Sequence, residues 1–269
     1  MPGLPRTHVS TIDEGRILSD IMQLTGNTLL ITGGTSGIGR ALAEQFHRLG
    51  NTVIIAGRRQ ALLDEITAQH PGMHGIPLDV ADPRAIDAFA ARMREQFPTL
   101  NVVFNNAGIS RSEDLTTDTL AVARSLIETN ILSVLHLTSA LLPLLRKQAH
   151  ATLLATTSGL AFVPRSDYPT YCATKAFLHS WLQSLRYQLR KTTVEVIELI
   201  PPYVQTELTG PAQAADPRAV PLAKYIGDVM RILADGGTEI LVEESRAGRW
   251  AASAENYDAQ FATRNPRTS

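Results

Sequence analysis

Tyr171 and Lys175 stand four residues apart in the stretch YPTYCATKAF. On a helix that spacing puts both side chains on one face. A phenol ordinarily keeps its proton up to a pH near ~10, so it needs help to act as a base at neutral pH. A nearby cation stabilises the phenolate and lowers that value. Lys175, one turn away, is expected to do this for Tyr171. Tyr168 competes as a candidate, but Cys172 and not a lysine lies four residues after it. Read alone, Tyr171 also fits a core aromatic and Lys175 a surface lysine.

A second stretch is built to receive an anion. TGGTSGIGRALAEQF follows the β-branched run 27–32. A strand, a glycine turn and then an amphipathic helix make a phosphate loop, in which backbone approaches a pyrophosphate and the free N–H groups of the helix start face it. Gly33, Thr35, Ser36, Gly37, Ile38 and Gly39 are its candidate cofactor contacts. A plain tight turn is the competing reading. The next apolar run ends at Gly57 and is followed by Arg58 and Arg59, where NAD enzymes usually carry an acid for the ribose hydroxyls. Guanidinium binds a 2′-phosphate bidentately. The expected cofactor is therefore NADP(H) in preference to NAD(H), with Arg58 the stronger anchor. Asp79 and Val80 end the third run and are candidates for the adenine. Asp82 ahead of Pro83 is a helix cap.

These residues need a scaffold, and the chain alternates to provide one. Seven short apolar runs, within 27–32, 51–57, 73–80, 101–108, 151–158, 193–200 and 238–243, are separated by helical patterns at 38–49, 59–69, 83–96, 116–146, 169–190 and 221–235. Strand alternating with helix predicts an α/β protein of Rossmann type: a doubly wound parallel sheet of about seven strands with helices on both faces. One domain over 22–243 is expected, with 1–21 an N-terminal extension and 244–269 a polar C-terminal tail whose last stretch, TRNPRTS, reads as disordered.

The 269 residues are 44% apolar and 19% charged with net charge −1. That is enough for a large core and gives no pull toward nucleic acid. The one cysteine excludes an internal disulfide framework and fits a reducing compartment. Cys172 reads as a packing residue. The longest apolar piece, Ile131 to Leu145, is broken by polar residues and Pro143, so neither a membrane span nor a membrane partner is expected. The N-terminus lacks a signal-peptide pattern, and a cytoplasmic protein is the default. No His or Cys cluster has metal spacing, so no metal is expected.

NNAG at 105–108, together with TGGTSGIG, Ser158 and YCATK, resembles the short-chain dehydrogenase/reductase family, over about residues 24–242. The opening LTGNTLLITGG and the PPYVQTEL after the sixth run, where most members have Pro-Gly, resemble the DltE-like subgroup. The resemblance implies a tetrad of Asn130, Ser158, Tyr171 and Lys175, with Ser158 thirteen residues before Tyr171. It adds Asn106, Ala107, Gly108, Val204 and Thr206 to the cofactor contacts.

It further implies an oxidoreductase that interconverts a carbonyl and a secondary alcohol by hydride transfer. In that scheme Tyr171 is the general acid/base, Lys175 also binds the nicotinamide ribose, and Ser158 polarises the substrate oxygen. Asn130 holds a helix irregularity and a water. Substrate contacts are expected from Leu160, Phe162, Tyr168 and Tyr203, with Ala161 and Leu208 near them and Arg165 reaching in from its loop. The substrate is a small molecule. Members are mostly homodimers or homotetramers that use the helices around 116–146 and 169–190. A non-catalytic NADP-binding redox sensor is the alternative, and retention of both Tyr171 and Lys175 argues against it.

Overall fold

The structure, a computed structural model, describes residues 22–117, 120–251 and 257–265. The expected extension 1–21 lies outside them. Within them the chain runs β1 (Thr28–Thr32), α1 (Gly37–Arg48), β2 (Thr52–Gly57), α2 (Gln60–Gln69), β3 (His74–Pro77), α3 (Pro83–Gln96) and β4 (Val102–Asn105). It continues through α4 (Leu120–Ile127), a π-helical turn (Glu128–Leu132), α5 (Ser133–Leu145), β5 (Ala151–Thr156), a 3-10 turn (Gly159–Ala161), α6 (Pro169–Leu189) and β6 (Val194–Leu199). It ends with α7 (Pro211–Ala214), α8 (Leu222–Asp235), β7 (Glu239–Ile240), α9 (Glu243–Ala251) and α10 (Tyr257–Arg264).

The seven strands form one parallel sheet in the order β3-β2-β1-β4-β5-β6-β7. Successive strand residues point to opposite faces, so each of the five inner strands feeds two cores. Leu30, Ile54, Val103, Leu153 and Val196 enter a core with α3, α5 and α6. Their neighbours Ile31, Ile55, Phe104, Leu154 and Ile197 enter the other, with α1, α2 and α8. This two-sided burial is why the strands read as apolar runs without polar alternation. As expected, Asp82 caps α3, accepting a hydrogen bond from the Arg84 backbone N–H at 2.9 Å, with Pro83 in the first turn.

The chain returns from β3 to place β4 on the other side of β1. Ligands of open α/β sheets bind at the carboxyl ends of the strands where the order reverses. Here those ends are Thr32 and Asn105.

Two expectations need correction, while the predicted helix 116–146 has its expected irregularity at Asn130, in the π turn. Its helical run Leu120–Leu145, 26 residues, is also long and apolar enough by length and composition to cross a membrane. Of the breaks in this run, Ser139 and Pro143 are exposed, while Ser133 and Thr138 are buried and hydrogen-bonded to the Thr129 carbonyl and to Asn105, and Leu137, Leu141 and Leu145 pack in the core beneath the sheet. In the stretch read as disordered, Arg264 and Asn265 are held to the loop after β5. Arg264 donates to the Val163 carbonyl at 3.3 Å, and Asn265 donates to that of Pro164 at 3.1 Å.

Candidate active site

At the switch point lies a cleft of about 440 Å3. Its floor is the phosphate loop. Gly33 adopts φ +66°, and a Cβ there would stand 2.9 Å from the Ala107 Cα. A Cβ on Gly39 would meet the Gly33 carbonyl oxygen and Asn106 Nδ2, each at 2.4 Å. The loop and the NNAG stretch therefore touch backbone to backbone, which only glycine permits. The contact is stapled by Thr32, whose hydroxyl accepts hydrogen bonds from the backbone N–H groups of Asn106 and Ala107, both at 3.1 Å. Asn106 donates to the Thr32 carbonyl at 3.1 Å and accepts from the Thr156 hydroxyl at 3.2 Å, tying β1 to β5.

The cleft brings most of the predicted cofactor residues together. Thr35, Ser36, Gly37 and Ile38 line it at the start of α1. Arg58, Asp79 and Val80 line its far end, and Ala107, Gly108 and Thr206 its middle. Gly39 lies behind the loop, under Gly33. Val204 is buried and pairs with Val220 in an isolated bridge. Asp79 accepts from the Ala81 backbone N–H at 3.0 Å. Arg59 also lines the cleft, and its guanidinium donates to the Thr35 and Ser36 hydroxyls at 3.0 and 2.9 Å. Sequence reading ranked Arg58 first. It is Arg59 that is tied to the loop.

α6 brings Tyr171 and Lys175 to the cleft, with Lys175 Nζ 5.7 Å from the centre of the Tyr171 ring. Both are buried. Lys175 donates to the Thr156 carbonyl at 2.8 Å. The phenol stands above its ordinary value, not below it: burial pushes Tyr171 up to about 12, with the Ser158 hydroxyl opposing by hydrogen bonding. The same burial pushes Lys175 down to about 8. In this form of the protein burial is the largest cause acting on the phenol, through the loss of water around the phenolate.

Ser158 lies two residues after β5 and caps the 3-10 turn by accepting from the Leu160 backbone N–H at 3.1 Å. Asn130 is fully buried in the π turn. It accepts from the Ile109 N–H and donates to the Ile109 carbonyl, both at 2.9 Å, and donates to Thr174 Oγ1 at 3.1 Å. Asn130 therefore clamps the chain just after Gly108 to α6. A π turn often marks a functional site.

The start of α6 has a cap that sequence reading missed. Glu113 accepts from the Thr170 backbone N–H at 3.0 Å and from its hydroxyl at 2.9 Å. A carboxylate satisfies an orphan donor there and suits the positive end of the helix. The pair is 57 residues apart in sequence, so no local pattern reveals it. Arg111, in the same loop, lines the cleft as well.

The expected substrate contacts divide. Leu160 and Tyr168 pack with Ile109 against Tyr171, Cys172 and Leu126. Leu208 lines the cleft. Phe162 instead stacks edge-on against His179 at 4.8 Å and lies under the Arg249 guanidinium. Tyr203 donates to Asp216 at 3.2 Å. Arg165 pairs with Asp167 and sits over the Tyr168 ring. Burial raises the Cys172 thiol, as suits a packing residue.

The protein-family model for the short chain dehydrogenases matches residues 27–217. The uncharacterized oxidoreductase DltE of Bacillus subtilis (strain 168) is 42% identical over 249 residues, which cover 91% of this chain and 98% of that protein. Among solved structures, the closed form of a serine dehydrogenase complexed with NADP+ is similar, with TM-score 0.71, 25% identity, and 76% of this chain and 88% of that chain covered. A short chain dehydrogenase from Burkholderia cenocepacia J2315, in complex with NADP, shares the fold with TM-score 0.77 at 22% identity, covering 90% of this chain and 98% of its own. Matched along most of its length in sequence and fold, the chain belongs to the short-chain dehydrogenase/reductase family, as a DltE-like NAD(P)-dependent oxidoreductase.

Proposed function

We propose that this protein reduces a small-molecule carbonyl to a secondary alcohol with NADPH, and runs the reverse reaction when alcohol and NADP+ are supplied. The observation that carries this reading is the buried Tyr171 phenol beside Ser158 and Lys175 on the wall of the cleft. The glycine contacts of the loop fit a dinucleotide, because Gly33 and Gly39 leave backbone where a pyrophosphate must approach. When bound, the nicotinamide supplies the hydride.

The protein's own residues do the rest. Ser158 donates a hydrogen bond to the substrate oxygen and steadies its growing negative charge. Tyr171, protonated until about 12, gives that oxygen its proton. A phenol so raised keeps its proton at neutral pH and gives it up to the strongly basic oxygen that hydride arrival leaves on the substrate. Lys175, with one N–H committed to Thr156, directs its other donors toward the ribose hydroxyls. Arg58 and Arg59 at the far end suit a 2′-phosphate. The NADP and NADP+ complexes of the similar structures support this cofactor.

We read residues 1–21 as an extension outside the catalytic unit, supported by a family match that begins at residue 27. We read the assembly as a homo-oligomer, supported by the exposed Ile127, Leu132, Phe177 and Tyr187 on the outer faces of the π-interrupted helix and α6, and the compartment as the cytoplasm, supported by a single cysteine that stays a free thiol. The test of the activity is absorbance of reduced nicotinamide with a panel of ketones and aldehydes. Turnover by the wild type, lost in Tyr171→Phe while NADPH still binds, is the expected result. Tight NADPH binding with no turnover across the panel would favour a redox sensor.

A further inference from the structure

Three successive turns of α6 reach the last residue of β5, Thr156, and the two that follow it, Thr157 and Ser158. Tyr171 meets Ser158, and Lys175 bonds Thr156. The third contact runs through a carboxylate. His179 Nδ1 lies 2.8 Å from Glu198 Oε2, and Thr157 donates its hydroxyl to Glu198 Oε1 at 2.6 Å. Glu198 and Thr157 are both fully buried, at 0% exposure. Gln183 Nε2, a donor only, lies 3.0 Å from His179 Nε2, which makes Nδ1 the N–H that faces Glu198. Phe162 packs edge-on against the imidazole.

From this geometry we infer that His179 and Glu198 are positioning residues that hold Thr157, and with it the adjoining Ser158, in line with Tyr171. The inference rests on the carbonyl-reductase reading of that pair. A buried carboxylate persists only where it is fully hydrogen-bonded. This one spans β6, α6 and the β5 end, so it fixes the spacing of the elements that carry the two hydroxyls. Glu239 on β7 brings a third candidate ligand atom, those of His179, Glu198 and Glu239 lying within 4.8 Å of one another. Arg249 already holds Glu239, Nε to Oε2 at 3.1 Å. A guanidinium thus supplies the positive charge that a metal ion would bring.

The test compares His179→Leu, His179→Asn and Thr157→Val with the wild type. Misplacement near an ångström costs on the order of a hundredfold in rate. His179→Leu and Thr157→Val are expected to lower kcat about tenfold to a hundredfold, with the carbonyl KM and NADPH Kd little changed. His179→Asn, which keeps a donor to Glu198, should recover most of the loss. A crystal structure of His179→Leu should show Ser158 moved relative to Tyr171. Full kcat in a folded His179→Leu, or a loss that only tracks the unfolded fraction, overturns the inference. So does wild-type activity that a chelator removes and zinc restores, which would make the cluster a metal centre. If the wild type reduces no carbonyl, the functional reading fails by itself. The positioning inference then stands or falls on whether Ser158 has moved in the crystal.

Discussion

The Lys175 ammonium lies 5.7 Å from the centre of the Tyr171 ring, and burial drives the phenol up to about 12 and the amine down to about 8. The working form for reduction is a protonated phenol beside a charged lysine. Its population is set by the lysine. Carbonyl reduction is expected to decline as pH rises through about 8, long before the phenol ionises. A pH profile of kcat checks this. A decline that begins only near the phenol's own range would mean that Lys175 does not control the rate.

The same lysine leaves a signature in stability. Its folded value is about 8 against an ordinary 10.5, so between these limits the unfolded chain binds more protons than the folded one. Stability from this group therefore rises with pH across that window. Below it the buried charge is a standing cost. Lys175→Met should lose turnover and also lose this rise. Urea midpoints at pH 7.5 and 9.5, wild type against variant, isolate the effect because every other group is common to both.

Cofactor choice should depend on Arg59 at least as much as on Arg58. Arg59 is held against the loop by Thr35 and Ser36, so less side-chain freedom is lost when it meets a phosphate. Arg59→Ala is expected to raise the NADP Kd about tenfold, near 1.4 kcal/mol, and to leave the NAD Kd within about twofold. Fluorescence titration with both dinucleotides decides it. Equal losses for the two would assign Arg59 to the loop alone.

Gly39→Ala places a methyl group 2.4 Å from the Gly33 carbonyl oxygen. Backbone cannot swing aside as a side chain does. The loop must shift, and dinucleotide binding should fall below detection in calorimetry while circular dichroism still reports an α/β fold. Unchanged affinity would show that the loop has slack the packing does not suggest.

Tyr225 on α8 is fully buried, and its hydroxyl has no hydrogen-bond partner among the described residues. Removing an unsatisfied buried hydroxyl recovers its desolvation cost, about 1–3 kcal/mol. Tyr225→Phe should raise Tm without touching the cleft. A lowered Tm would mean that the hydroxyl is satisfied in solution.

The alternation of apolar runs and helical patterns made the sheet and its helices readable, since period and burial are both local to the chain. The loop glycines and the Tyr171–Lys175 spacing were readable for the same reason. The Glu113 cap on Thr170, the Asn130 clamp on Ile109 and the tie between Arg59 and Ser36 were not, because each joins segments that only the fold brings together. The proton affinity of Tyr171 was not readable either, on the same account. A nearby lysine is visible in sequence, and the depth of burial is not. Phe162 was expected among the substrate contacts, and the edge-on packing of its ring against His179 could not be read from the sequence.

The π turn at Glu128–Leu132 works as a phase shift. One residue more than an α-helix requires turns α4 by about 100° relative to α5. That angle brings Leu126 of α4 against Tyr171 and Cys172 while α5 keeps its leucines on the sheet. A deletion of one codon in the turn would leave helix content almost untouched. It would rotate Leu126 away from the phenol and admit water to the group whose dryness sets its chemistry. Catalysis at this site is exposed to a change in chain length that no survey of side chains would flag.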